Sequence, residues 1–523
     1  MSEVTALTGA GGVRGERLRS GVQRYLGIPY AADPVGELRF RPPARPEPWS
    51  GVRDCLAASP APPQGPDPLL ESVVGAERVA TSEAGCLTVN VWAPGASSDR
   101  PDRPVLVWVH GGAYVQGYGH QVWTDGERLA ERYGVVVVSL NYRLGALGWL
   151  YVPELLGEEY AGSANLGLQD QIAALAWVRD NIARFGGDPH RVTVFGESAG
   201  GGSVAALLGA PAARPLIHRA ALQSAPPRAV RSADEAAAVA QAYAAVLKEQ
   251  TGVTDVREAS VDQLLAAQDE LMTRHPVHEI PFTPVVDGSV LPLHPLQALR
   301  NGSCAHIPVL AGTNEHEGRL FVGLGPDVTG DAFDAALAEA FPDAEQRARA
   351  RAVYRTYEGS SQDRPTENLA ALLTDRLFRE GTDAFLDAAA EGGGRVWSYL
   401  FQEPTPVLGG GLGSTHTLDI PYVFDVLDGP GLTAWLGDEP PQRLADAMSG
   451  AWVHFATEGA PAHRLLPSWP RFEPGERATM LLGGELPGSG AGDRVGAVAF
   501  DPFGDRRELW SGAGSEAFTD LPD

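Results

Sequence analysis

Five short, nearly continuous apolar runs, at residues 105–109, 135–140, 192–195, 307–311 and 396–401, constrain this chain more than any other feature. A strand that is apolar on both faces must be covered on both faces. A parallel sheet flanked by helices provides that cover. Helical periodicity fills the space between the runs. Leu168, Ile172, Leu175, Val178 and Ile182 recur at three- and four-residue steps and predict one apolar helix stripe. Asn165 is placed to cap that helix, Gly186 and Gly187 to end it, and Asp188 and Pro189 to turn the chain into the next strand. An Ala-rich run over 233–249 predicts a second helix, and the stretch 330–390 a helix-rich insertion. Alternating strand and helix means an α/β fold around a large, mostly parallel sheet. No internal repeat or linker divides the chain, so one domain spanning 1–523 is expected.

Composition removes whole classes of function. The 41 basic and 66 acidic side chains leave a formal net charge of −25. Phosphate binding needs clustered Lys and Arg, so neither a nucleic acid nor an anionic membrane is expected as a partner. The single lysine, Lys248, follows Leu247, so the Gly-Lys-Ser/Thr of a nucleotide-binding loop is missing. Cys55, Cys86 and Cys304 are too few for a disulfide framework or a four-cysteine zinc site. His275 and His278 sit three apart, but Pro276 between them spoils a helix, and no metal is expected there. No cofactor is expected. The first ten residues have neither the basic start nor the apolar core of a secretory signal. The apolar runs are too short to cross a bilayer. The expectation is a cytoplasmic protein, as a monomer or weak homodimer.

The run at 192–195 leads into Gly196-Glu197-Ser198-Ala199-Gly200 and then a helical pattern from Gly201 onward. This is Gly-x-Ser-x-Gly between a strand and a helix, the context of a nucleophile elbow. A sharp turn stands the Ser198 hydroxyl clear of the sheet, small neighbours let strand and helix approach, and the helix dipole favours negative charge at its N-terminus. The run at 105–109 ends in His110-Gly111-Gly112-Ala113-Tyr114. Glycines there let backbone N–H groups turn inward. Gly112 and Ala113, with the N–H of Ala199, are the expected oxyanion donors. Gly111 and Tyr114 are expected to line the substrate site, Tyr114 as a pocket wall.

These residues resemble the type B carboxylesterases of the α/β-hydrolase fold, which include the cholinesterases. The resemblance runs through Gly27-Ile28-Pro29-Tyr30-Ala31, Arg39-Phe40-Arg41-Pro42-Pro43, Cys86-Leu87-Thr88-Val89-Asn90-Val91-Trp92, Asn141-Tyr142-Arg143-Leu144-Gly145 and the stretch from Asn165 to Gly202 with Asp170-Gln171. It implies a serine carboxylesterase acting on small-molecule esters through an acyl-serine intermediate. It also implies the other triad members. Gly312-Thr313-Asn314-Glu315-His316-Glu317-Gly318 resembles the acid segment, with Glu317 the acid and Glu315 the competitor. His416-Thr417-Leu418-Asp419 resembles the histidine segment. The resemblance also implies that Glu197 lies at the substrate site, and Ser224 resembles a second serine near the triad, read here as satisfying buried polar groups.

The pattern departs from the family in three places. Extracellular members pair the cysteine at Cys86 with an earlier one, but the matching neighbourhood, from Ser59 to Gln64, has none and Cys55 lies several residues off. No disulfide is expected. The acidic pair that should precede Cys86 is Ala84-Gly85, which leaves Arg39 without its usual partner unless Glu83 substitutes. The loop from Gly65 to Gly85 has no aromatic residue, where cholinesterases place a tryptophan for cation–π contact, so a cholinesterase is not expected. Two other readings share these motifs: the same triad acting on a carbamate or activated amide, and a catalytically silent adhesion-type relative. The second usually loses a triad member, and here all three stand.

Overall fold

The computed structural model describes residues 2–66, 79–95, 102–275, 279–356, 364–484 and 495–511. Its centre is a 13-stranded sheet. Seven consecutive strands across its middle are parallel: Val136–Leu140, Arg103–Val109, Gly187–Glu197, Arg219–Gln223, Val309–Asn314, Val396–Phe401 and Ala478–Leu482. Antiparallel strands flank them, from Thr88–Ala93 outward to the Ser2–Leu7 hairpin on one side and Gly496–Phe500 on the other.

The apolar runs are strands because each face feeds a separate core. Val105, Val107 and Val109 enter one cluster, with Val136, Val138, Val192 and Val194. The alternate residues Leu106 and Trp108 enter the other, with Val137 and Phe195. Trp108 meets Phe195 and Phe424 edge-on, ring centroids 4.9 and 5.1 Å apart. Successive side chains point to opposite faces, so a two-sided core is lined on both faces mainly by apolar residues, with a few buried polar ones such as Ser139 and Thr193 among them. The strand read at 307–311 is displaced to Val309–Asn314, because Ile307 and Pro308 precede the first pairing, Val309 with Ala220 and Val396.

Two details of the helix Leu166–Asn181 differ from the expected stripe. Asp170 and Gln171 are fully buried, while Ile172 is only half-buried. Asp170 can be buried because Arg143 binds it through both carboxylate oxygens, Nε to Oδ2 at 2.8 Å and Nη2 to Oδ1 at 2.7 Å. Gln171 donates to Ser203 Oγ at 3.0 Å, tying this helix to the one that follows Ser198. Asn165 does occupy the N-cap position, but in left-handed backbone (φ 56°), and its side chain does not cap. It bonds across to Val285, donating to the carbonyl at 2.8 Å and accepting from the N–H at 2.7 Å. The helix unwinds through 182–185 and stops at Gly186.

The Ala-rich helix covers Ala233–Thr251 and starts with a reciprocal Ser232–Glu235 capping box. Residues 330–391 form the helices Gly330–Ala340, Ala344–Thr356, Pro365–Thr374 and Glu380–Glu391, the last two joined by a π-helical turn, Asp375–Arg379. Phe333, Leu337, Phe341, Tyr354 and Leu372 give them a small core of their own. Glu83 does take the place of the missing acidic pair, since Arg39 donates to it through Nε at 2.8 Å and also through Nη2. Cys55, Cys86 and Cys304 are free and buried. Part of the loop from Gly65 to Gly85, and His278, lie outside the described residues. Among the described residues no helix is long and apolar enough to cross a membrane.

Arg143 and Asp170 are 3% and 0% exposed, and removing one member of such a pair strands the other charge in the core. Asp170→Asn is expected to cost about 3–5 kcal/mol, read as a fall in the denaturant midpoint.

Candidate active site

The strand Gly187–Glu197 ends where the helix Ala199–Gly209 begins, with Ser198 alone between them. Ser198 has φ 55° and ψ −128°, a region that costs a non-glycine residue roughly 1–3 kcal/mol. Its N–H donates to Gln223 O at 2.9 Å, and its carbonyl accepts from Gly202 N at 2.9 Å. These bonds hold the turn against the neighbouring strand and start the helix. The small residues are required by close approach. A Cβ on Gly196 would meet the Gly200 carbonyl carbon at 2.6 Å, and one on Gly200 would meet His110 O at 2.7 Å.

The loop after Arg103–Val109 folds over this turn. A Cβ on Gly111 would lie 2.8 Å from Glu197 Oε2 and 3.1 Å from Ser198 Cβ. Gly112, Ala113 and Tyr114 all have positive φ, 108°, 51° and 61°. The Gly112 carbonyl accepts from Val115 and Gln116 N–H at 3.0 and 2.9 Å, closing the loop. The N–H groups of Gly112, Ala113 and Ala199 donate to no protein acceptor among the described residues. Two supports of the loop had no distinguishing sequence signal. His110, which burial pushes down to about 4 and so keeps neutral, bonds Gly111 O through Nδ1 at 2.8 Å and stacks on Tyr142 with centroids 4.4 Å apart. Gln64 clasps Gly117, accepting its N–H at 2.8 Å and donating to its carbonyl at 2.9 Å. The Tyr114 ring is fully buried and packs on Trp149, centroids 4.7 Å apart.

Glu317 follows the strand Val309–Asn314 and is completely buried. Its Oε1 accepts the Asn314 N–H at 2.7 Å, and its Oε2 bonds His416 Nδ1 at 2.6 Å. Glu315, the competitor, instead accepts from Gln402 Nε2 at 3.3 Å. His416 is 4% exposed and sits on a loop beyond Val396–Phe401, next to Thr417 at φ 70°. Its Nε2 lies 3.3 Å from Glu197 Oε1. Ser198 Oγ makes no hydrogen bond among the described residues. Such bonds commonly tighten only with substrate bound.

Three neighbours of His416 were missed. Asp419 is fully buried and accepts from Gln223 Nε2 at 2.8 Å and Tyr399 OH at 3.2 Å. Burial pushes its carboxyl up to about 6. Phe378 and Phe321 lie against the imidazole, ring centroids 4.3 and 5.6 Å away. Only folding brings these rings there. Ser224 corrects another reading. It is buried at φ 46°, and its Oγ has no partner among the described residues, so it does not satisfy buried polar groups.

The electrostatics follow from burial. Glu197 is raised by desolvation, opposed by the neighbouring imidazole. For His416, desolvation works against the charge, but Glu197 and Glu317 outweigh it and hold the imidazole above its ordinary value. The arrangement can take a proton at Nε2, hold it in a buried anionic surround, and offer three N–H groups to a developing oxyanion.

A family model described as the carboxylesterase family matches residues 2–488. The chain is 37% identical over 494 residues to a para-nitrobenzyl esterase of Bacillus subtilis (strain 168), across 93% of this chain and 96% of that one. It is 38% identical over 495 residues to a fumonisin B1 esterase of Sphingopyxis macrogoltabida, across 93% and 87%. Among solved structures, a thermophilic PNB esterase superposes with a TM-score of 0.84 at 34% identity, over 97% of this chain and 99% of that one. Sequence and architecture agree along almost the whole length, and the chain belongs to the carboxylesterase family, as a serine carboxylic ester hydrolase of the α/β-hydrolase fold.

Proposed function

We propose that Ser198, His416 and Glu317 are the catalytic triad and that Gly112, Ala113 and Ala199 supply the oxyanion hole. The observation that carries this reading is the buried 2.6 Å bond between Glu317 and His416, next to a serine in strained backbone. Ser198 Oγ attacks the acyl carbon as His416 Nε2 takes its proton. The tetrahedral oxyanion is held by the three N–H groups, each worth about 3 kcal/mol when lost. His416 returns the proton to the leaving alcohol, and the acyl-serine remains. Water, deprotonated by the same imidazole, then releases the acid and restores Ser198. Glu317 holds the tautomer and favours the imidazolium. Uncharged aryl or alkyl esters of modest size are the proposed substrates, consistent with the two phenylalanine rings beside His416. A cytoplasmic setting is supported by the three buried free thiols.

Hydrolysis of p-nitrophenyl acetate, butyrate and octanoate by wild type and Ser198→Ala tests the reading. Ser198→Ala and His416→Ala are expected to lower turnover about 10⁴–10⁶-fold, and Glu317→Gln somewhat less. A fluorophosphonate should add one group, at Ser198. Retained activity in Ser198→Ala, free of contaminating esterase, overturns the assignment.

The pH profile carries a second expectation. His416 must be unprotonated to act, and its pKa is raised, so kcat/KM falls as pH drops through that raised value. Glu197→Gln removes one of the carboxylates that raise it. The acid limb should therefore move to lower pH; an upward shift would contradict the assigned role of Glu197.

A further inference from the structure

The π-helical turn Asp375–Arg379 lies far from every motif in the chain, yet it delivers a ring to the centre of the site. Phe378 stands with its centroid 4.3 Å from that of His416, the planes 30° apart. Phe321 extends the stack, 6.0 Å from Phe378 and tilted by 20°, but is 37% exposed where Phe378 is 4%. The turn is anchored on both sides of Glu317. Arg379 Nη2 donates to Glu315 O at 3.0 Å, and Thr374 Oγ1 accepts the Gly318 N–H at 2.9 Å. Asp375 fixes the turn itself, accepting from Tyr354 OH at 2.8 Å and Arg379 Nη1 at 2.6 Å. A π turn inserts one residue per turn relative to an α-helix and re-aims the side chains it carries.

We propose that Phe378 is a positioning residue for the ester hydrolysis, its ring setting the plane of the His416 imidazole and favouring the imidazolium formed during acyl transfer. The inference rests on His416 being the base. His416 is borne on a loop, and its edge contacts, Glu317 at Nδ1 and Glu197 at Nε2, lie in the ring plane and do not support its face. A flat ring against that face restricts tilting out of the plane. The same face is the negative pole of the phenyl quadrupole, and attracts a cation within about 6 Å. The charged groups facing His416 are Glu197 from the elbow, Glu317 from the acid loop and Asp419 from its own loop. Arg379, next to Phe378, is turned to Asp375 and Glu315 instead.

The test compares Phe378→Leu, which keeps apolar bulk, with Phe378→Tyr, which keeps the ring, on p-nitrophenyl acetate. Phe378→Leu is expected to lower kcat about 3- to 30-fold with KM within about 2-fold, and to move the acid limb of kcat/KM to lower pH. Phe378→Tyr is expected to stay within about 2-fold of wild type with the limb unmoved. Equal losses in both variants, a loss confined to KM, or an unmoved limb in Phe378→Leu would each overturn the inference. If Phe378→Leu does not fold, Phe321→Leu at the exposed ring should give a smaller shift of the same sign, and its absence counts equally against the proposal. His416→Ala, run alongside, separates the two failures. If it is inactive while Phe378→Leu is unchanged, only the role of Phe378 falls; if it stays active, the triad falls as well.

Discussion

A carboxylate with no exposure to water is the constraint around which this site is built. Both oxygens of Glu317 are engaged, one by the Asn314 backbone and one by His416, as a buried polar group requires. One bond therefore fixes three separate pieces of chain: the end of the strand Val309–Asn314, the turn carrying Glu317, and the loop carrying His416. It also sets the tautomer, because an imidazole bonded to a carboxylate at Nδ1 has Nε2 left to exchange a proton. Glu197 and Asp419 lie around the same imidazole and favour its charged form.

The sheet makes this concentration of charge possible. Seven parallel strands end on one side, and the segments that leave them carry Ser198, the Gly111–Ala113 turn, Glu317 and His416. A crevice at the carboxyl ends of parallel strands is where such folds place their chemistry. The two predominantly apolar cores above and below hold the strand ends in place. The strain at Ser198, Ala113 and Tyr114 can persist because those packed strands and the buried Arg143–Asp170 pair leave the backbone no cheaper arrangement. The protein's strong net acidity has no part in this. The carboxylates that matter are few and buried, and the remainder of the charge of −25 keeps the surface hydrated.

The sequence by itself determined the strand runs, the parallel α/β architecture, the elbow at Ser198 and the glycine turn before Ala113. Each rests on local physics: period, chain reversal, and the close approach that only small residues permit. It also narrowed the acid to two carboxylates and proposed Glu83 for Arg39. Tertiary structure decided the rest. It bonded Glu317, and not Glu315, to His416, because their side chains leave the same turn in different directions, one to His416 and one to Gln402. It turned Tyr114 into the core and left Ser224 unpartnered. It moved Asn165 from capping its own helix to bonding Val285, brought Phe378 to the imidazole from a position with no motif around it, and turned Asp419, inside the histidine segment itself, to Gln223 and Tyr399. Backbone period and turn chemistry are encoded within a few residues, whereas the partner of a buried polar group or the ring against an imidazole is set by which distant segments the packed sheet brings together.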